Sequence, residues 1–372
     1  MSRRTLIWHV GLPRTPRDVL SASLDAHTER LGADGFRVVA TADEARLATH
    51  ELLRTHREAG LSRDEVEGCW ARIADRVWEH KGASLLSTPD LAVADKDQLR
   101  LALDPLIGIE VHLVVTVESW SQQLYGAWLA ELRGGATTGW EKYVGRVLDR
   151  AAEGARGHRQ AEDFWAGHEL VSVLARWGWT LHADRIHLVV GSGPPQQWAS
   201  LLDVARVPMD RGGLPVVVPP FADPAGLAVL RRVNRQLDAT PGAASLDLLT
   251  RTELAAEEAR TQLPAVDTSA LRPLVERWSS ILGSTGYDVR GDLLELVGTE
   301  EGSVGLPGFR DQLGAAVDAL ADALAENSRL RARVGDLEAD ADRLDEKRRK
   351  HKRRLRVLES NASVEPVEAV ET

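Results

Sequence analysis

The sequence predicts an α/β fold, a mostly parallel central sheet with helices on both faces, extended by one long C-terminal helix. Three observations carry the prediction. Short apolar runs rich in β-branched residues take turns with helical patterns up to Val190, the order expected of successive strand–helix–strand crossovers. The run EVHLVVTV (110–117) is the most strongly β-branched of them and follows Gly108, which suits a strand buried on both faces. From Phe309 to Glu359 there is no proline and there are only two glycines, while apolar residues recur at spacings of three and four.

LIWHV (6–10) is a short apolar strand. RDVLSASLDAHTERLGADG puts Val19, Leu20, Leu24 and Leu31 at helical spacing and is closed by Gly32 and Gly35. FRVVA (36–40) is a second strand, helical patterning runs from Ala42 to Lys81, and ASLLS (83–87) is a third strand. A helix around Asp95 to Leu103 leads into EVHLVVTV. Helices from Trp120 to Leu132, Trp140 to Ala152 and Ala161 to Trp177 follow, then the strand RIHLVV (185–190). Past Gly191, GSGPPQQW and GGLPVVVPPFADP read as loops, because Pro and Gly interrupt both periodicities. Helices from Ala225 to Leu237 and near Ser269 to Leu282 close the body, the second ending in STGYDVRGDLLELV. The expected organisation is an α/β domain over 1–297, a linker over 298–308, a helix over 309–359 and a disordered acidic tail over 360–372.

In the C-terminal segment the apolar series is Leu313, Val317, Leu320 and Leu324, then Leu330, Val334, Leu337, Ala341 and Leu344, with a break of register around Asn327. Only a seven-residue repeat keeps a narrow apolar seam against a partner helix, so the segment reads as a coiled coil. The other reading is a lone amphipathic helix folded back on the body. Toward its end the helix becomes KRRKHKRRLR (347–356), eight Lys or Arg in ten residues. Such a block can grip nucleic acid, anionic lipid or an acidic protein. It equally suits a solvated helix end, where positive charge complements the helix dipole.

Composition excludes several classes. A chain of 372 residues, 43% hydrophobic and 27% charged, has the make-up of ordinary globular domains. Its net charge of −10 argues against nucleic-acid binding by the body as a whole. The single cysteine, Cys69, excludes an internal disulfide, and beside Trp70 it reads as a small buried apolar group rather than a nucleophile. Arg3 and Arg4 precede an apolar run too short for a secretory signal or a spanning helix, so the expected location is the cytoplasm. Abundant Ala, Arg and Gly with little Lys before the C-terminal segment suggest a bacterial, high-GC coding bias. Among 11 histidines, pairs such as His50 with His56 and His182 with His187 lack ligand spacing, so no metal is expected. There is no G-x-S-x-G, H-E-x-x-H or full Walker loop.

The chemistry concentrates at LIWHVGLPRTPRDVL, a strand, a tight turn and a helix start. A loop in that setting binds phosphate when its backbone N–H groups point inward and small residues allow close approach. His9, Val10, Gly11, Leu12, Pro13 and Thr15 resemble the 5′-phosphosulfate loop of a bacterial sulfotransferase-like group, with Arg14 where that group has lysine. EVHLVVTVESWSQQLYGAW (110–128), FWAGHELVSVLARWGWTLHADRIHLVV (164–190), LAVLRRVN (227–234) and RWSSILGSTGYDVRGDL (277–293) also look like parts of that family, so the resemblance covers most of 5–297. It implies a P-loop-like sulfotransferase fold. If the protein is active, it implies 3′-phosphoadenosine 5′-phosphosulfate as donor, and Arg14, Thr15 and Arg17 as cofactor-binding residues.

The departures fall where the family binds its cofactor. Pro16-Arg17-Asp18 stands in place of Gly-Thr-Thr. Pro16 removes a backbone donor, and Asp18 sets a carboxylate in the first helical turn. Read without the family, Thr15 would be an N-cap, Pro16 the first helical residue and Asp18 the N3 partner of a capping box. Glu118 stands where the resemblance implies an arginine for the nucleotide's 3′-phosphate, reversing the charge. These changes predict a plugged cradle, a protein holding no cofactor, and action as a scaffold through the C-terminal helix. The alternative is an active enzyme in which Arg14 and Arg17 compensate. Catalytic candidates are few: Asp90, which follows ASLLS and serves as a base or as a cap for the next helix, and His9 and His168. Most of the tryptophans read as core, with Trp120 and Trp128 as candidate cleft walls.

Overall fold

The computed structural model describes residues 4–14, 18–153, 158–191, 193–208, 213–219, 221–222, 224–236, 253–254, 266–297 and 308–362. The body is a six-stranded, all-parallel sheet: β1 (Thr5–His9), β2 (Phe36–Val38), β3 (Ala83–Ser87), β4 (Glu110–Val117), β5 (Ile186–Val190) and β6 (Asp288–Arg290), in the spatial order β2-β3-β1-β4-β5-β6. The α/β class expected from the sequence is the one observed. β3 and β4 fall on the expected residues, β2 and β5 lie within theirs, and β1 is shifted by one residue toward the N-terminus. β6 went unpredicted, because a three-residue edge strand, DVR, has too few residues to show alternation.

The strands are apolar on both sides because both sides are covered. Leu6, Trp8, Leu86, Leu113, Val115 and Leu188 point into the larger core cluster, while the alternate residues Ile7, Leu85, Val114 and Val189 point into a smaller one on the other face. Trp8 stacks on Trp70 at 5.1 Å and meets Trp177 edge-on at 5.2 Å, and its indole N–H donates to Thr88 Oγ1 at 2.7 Å. Trp120 and Trp128 are core residues and not cleft walls. Trp120 is 1% exposed and packs against Trp165 and Trp278, and Trp128 packs against Tyr125 and Trp140. Helix patterning found these positions, but a helix buried on both sides leaves no wall to expose.

Two long helical predictions resolve into shorter pieces. The stretch from Ala42 to Lys81 holds helices Ala42–Leu53, Arg63–Val66 and Cys69–Glu79. The stretch from Ala161 to Trp177 breaks at Glu169, which leaves helical geometry and caps the following helix by accepting from Ser172 N–H at 2.7 Å. The first helix, Val19–Ala26, begins later than the capping-box reading required, and its N-cap is Asp18 itself. Asp18 is therefore not an N3 residue, and Thr15, Pro16 and Arg17 lie outside the described residues.

The chain divides into a unit over Met1–Ala316 and a second over Val317–Thr372. One helix, Phe309–Ala362, runs through the C-terminal region. Ala315, in its first turns, packs with Ala225 and Val229. The linker residues 298–307 and the tail from 363 lie outside the described residues. No helix among the described residues is long and apolar enough to cross a membrane.

Candidate functional site

In the sheet order, the connection from β1 leads toward β2 and those from β3 and β4 lead the other way, so the crevice of the fold opens at the C-terminal ends of β1 and β4. The parallel register sets His9 beside Ser87 on one neighbour and Val114 on the other. β1 continues as Val10, whose N–H donates to Val114 O at 2.8 Å, then through Gly11 and Leu12 to Arg14. Gly11 lies over His9, since a Cβ there would stand 3.0 Å from His9 Nε2 and 3.2 Å from Thr116 Oγ1.

His9 is enclosed and fully engaged. Its Nδ1 lies 2.8 Å from Ser87 Oγ and its Nε2 3.0 Å from Thr116 Oγ1, and Ser21 Oγ donates to Ser87 Oγ at 2.8 Å. With Ser21 donating into Ser87, the Ser87 hydroxyl donates to Nδ1. That leaves Nε2–H as the donor to Thr116. Burial lowers the His9 pKa to about 3, so the ring is a neutral strut between three strands and the first helix. Ser87 was legible in principle, as the residue in register with His9, while Ser21 and Thr116 emerge only from the packing.

Arg14 adopts left-handed backbone geometry, with φ of 59°. Its N–H donates to Asp90 Oδ1 at 2.8 Å, and its guanidinium lies 3.7 Å from Glu131. Asp90 sits in the short turn Pro89–Val93, whose N-cap is Thr88, so it does not cap that turn. Its carboxylate reaches across to the β1 loop. Asp18 accepts from Ser21 N–H at 3.0 Å. Burial raises the Asp18 pKa, its bonds to Ser21 oppose the rise, and nearby Asp90 and Asp25 add to it. At the tip of β4, Glu118 is 6% exposed, and its carbonyl accepts from Gln123 Nε2.

His168 ends its helix beside this loop. It is 1% exposed, lies flat on Phe164 with ring centroids 4.0 Å apart, and its Nδ1 is 2.7 Å from Phe164 O. Burial lowers its pKa to about 4. Its neighbour Gly167 meets the loop so closely that a Cβ would run into the Pro13 ring and approach Val93 Cγ1 to 3.0 Å.

Between the loop and the helix Ala42–Leu53 lies a cleft of about 490 Å³. Its charged lining is Asp18, Asp43, Asp90, Arg14 and Arg46, with His50 beside them. Arg46 lies 3.7 Å from Asp43. Burial, and after it Arg46, lowers the His50 pKa. Neither His9 nor His168 lines this cleft. Arg14, Asp18 and Asp90 are thus brought together, and His9 and His168 are held behind them. Arg46, His50 and Glu131 were missed, because nothing in a helical pattern says which neighbouring strand it will face. Among the described residues, no group of three or more His, Cys, Asp or Glu is placed to hold a metal ion. Cys69 is buried, and burial raises its pKa.

No protein-family description matches the chain, and no curated protein shows significant similarity to it. Two solved structures align with it. One is a sulfotransferase from Alicyclobacillus acidocaldarius, at 12% identity and a TM-score of 0.36, covering 75% of this chain and 96% of that one. The other is the sulfotransferase domain from the curacin biosynthetic pathway, also at 12% identity and a TM-score of 0.36, covering 74% of this chain and 97% of that one.

Proposed function

We propose that this chain is a sulfotransferase-like protein that does not hold 3′-phosphoadenosine 5′-phosphosulfate and that acts as an interaction protein through its C-terminal helix. One observation supports the first half: neighbouring carboxylates take the backbone donors of the loop and of the helix start after it, Asp90 that of Arg14 at 2.8 Å and Asp18 that of Ser21 at 3.0 Å. A bound phosphate needs those inward-pointing N–H groups and is repelled by the carboxylates that hold them. Glu118, buried at the tip of β4, adds a third carboxyl side chain where the resemblance implies a cation. On this reading the carboxyl groups around the loop do not fit the nucleotide's phosphates. The second half is supported by Leu313, Val317, Leu320, Leu324, Leu330, Val334, Leu337, Leu344, Leu355 and Leu358, each more than half exposed.

The competing reading is a transferase that passes a sulfuryl group from an anionic donor to a hydroxyl or amine. It is favoured by the cleft itself, large enough for a small molecule and flanked by Arg14 and Arg46. Calorimetric titration of the full chain with 3′-phosphoadenosine 5′-phosphate separates the two. The expected result is no heat of binding up to millimolar ligand. Micromolar binding that Arg14→Ala abolishes would overturn the proposal in favour of the enzyme.

A further inference from the structure

The distal half of the long helix carries two features that constrain how it can be covered. From Leu330 the seam positions alternate by four and three: Leu330, Val334, Leu337, Ala341, Leu344, Arg348, His351, Leu355 and Leu358, apolar except at Arg348 and His351. The seam therefore does not end at the basic block but passes through it, with Arg348 and His351 in its line and two leucines beyond. Leu330, Val334, Leu337, Leu344, Leu355 and Leu358 are each 53 to 64% exposed. The second feature is charge. Residues 336–346 hold six carboxylates and one arginine, while 347–356 hold eight Lys or Arg. Glu338, Asp345, Lys347, Lys352 and Arg354 make no ion pair among the described residues.

We infer that this face is covered by a second copy of the same chain, running antiparallel, with the two-fold axis passing near Glu346. The inference rests on the association half of the function proposed above and adds its partner and orientation. A dyad at Glu346 lays the acidic stretch of each copy against the basic stretch of the other, an isologous and self-complementary contact. In this register Leu355 of one copy faces Leu337 of the second, Leu358 faces Val334, Arg348 faces Leu344, and His351 faces the small Ala341. Flanking the seam, Glu338 and Asp345 approach Lys352 of the second copy, and Asp340 approaches Lys347 and Arg354. Like charges meet where Asp345 and Lys347 each face their own copies beside the axis, and where Arg333 meets Arg354 at the ends.

The parallel, in-register arrangement brings identical residues together. Arg348 would face Arg348 and His351 would face His351 inside the seam, and the two basic blocks would lie side by side. Arg348 against Leu344 can instead lay its methylene stem on the leucine and turn its guanidinium outward. The antiparallel overlap also has natural ends. The last helical residue, Ala362, lies level with Leu330, and the break of register at Asn327 falls just outside it.

The test uses the full chain in a Cys69→Ala background, so that introduced cysteines are the only thiols. Light scattering should give a dimer, and mixing a Leu337→Cys chain with a Leu355→Cys chain should yield disulfide-linked pairs of unlike chains, with little cross-linking in either alone. Lys352→Glu should weaken the dimer about tenfold by reversing contacts with Glu338 and Asp345. In the parallel arrangement residue 352 faces Lys347, so the same variant would tighten it. Cross-linking of Leu337→Cys with itself, or tightening by Lys352→Glu, would overturn this inference and leave self-association standing. A monomer would overturn both, and a monomer that retards single-stranded RNA or sediments with phosphatidylserine vesicles would assign the basic block to an anionic polymer or lipid. The nucleotide titration bears on neither outcome.

Discussion

His9 shows how a residue type with catalytic associations becomes structural. A base needs a lone pair facing the substrate and a pKa near the working pH. His9 spends both nitrogens on neighbouring hydroxyls and holds its pKa at about 3. The stability consequence has a definite sign. Unfolded, a histidine takes a proton near pH 6.5, whereas His9 in the fold stays neutral down to about 3 and His168 down to about 4. As pH falls below about 6.5 the unfolded chain binds protons the fold refuses, so stability drops by about 1.4 kcal/mol per pH unit for each histidine until its folded pKa is reached. Asp18, whose pKa burial raises, works in the opposite sense, because the fold keeps a proton that the unfolded chain gives up. Urea melts between pH 6.5 and 4.5 should show this slope, and His9→Gln should flatten it by about one proton's worth. An unchanged slope in that variant would mean that His9 is protonated in the fold.

At the level of elements, the loop after β1 is fixed from both sides. Asp90 holds its backbone, and the end of the helix Arg159–His168 presses on Pro13 through Gly167. Gly167→Ala should therefore destabilise the protein by about 1–3 kcal/mol, because the added methyl must displace a proline ring in a packed contact. A thermal midpoint unchanged in that variant would show the contact to be loose. The sequence could not announce this glycine, since it lies inside a helical pattern and its reason is a residue more than 150 positions away. The helix break at Glu169 was hidden for a similar reason: a glutamate makes an uncommon N-cap, and its other oxygen accepts from Trp278 Nε1 at 2.7 Å. The strands were legible where both sheet faces are apolar, as in EVHLVVTV, and illegible at the edge, where DVR is held by polar contacts: His187 to Asp288 at 2.8 Å and Arg290 to Asp203 at 2.7 Å.

Over the whole molecule, the fold class could be read because alternation of strand and helix is a property of the entire chain and survives errors at single boundaries. The candidate site was legible only in its β1 loop residues, Arg14 and Asp18, and at Asp90. Its remaining parts come from Thr49, His50 and Arg46 on one helix and Glu131 on another, and only the packing of helices on the assembled sheet makes them neighbours. Charge is also distributed at this scale. The chain is acidic overall at −10, yet its strongest positive charge is confined to ten residues of one helix. If that block is answered by the acidic stretch of a second copy, rising salt should dissociate the dimer while leaving the thermal unfolding of the body unmoved, because screening acts on exposed pairs and spares a buried core. Sizing and scanning calorimetry across a salt series would check both halves, and a body that melts earlier with salt would contradict the second.

The stacked pair Trp8 and Trp70 gives the fold an optical signature. Two indoles with ring centroids 5.1 Å apart and planes 20° from parallel are close enough for their ultraviolet transitions to couple. The native protein should then display a split circular-dichroism band that neither chromophore produces alone. Because one ring comes from the central strand and the other from a helix crossing above it, this pair's share of the band would report the docking of sheet and helix, and Trp70→Phe should reduce the band without unfolding the chain, the other indole pairs keeping their own contributions.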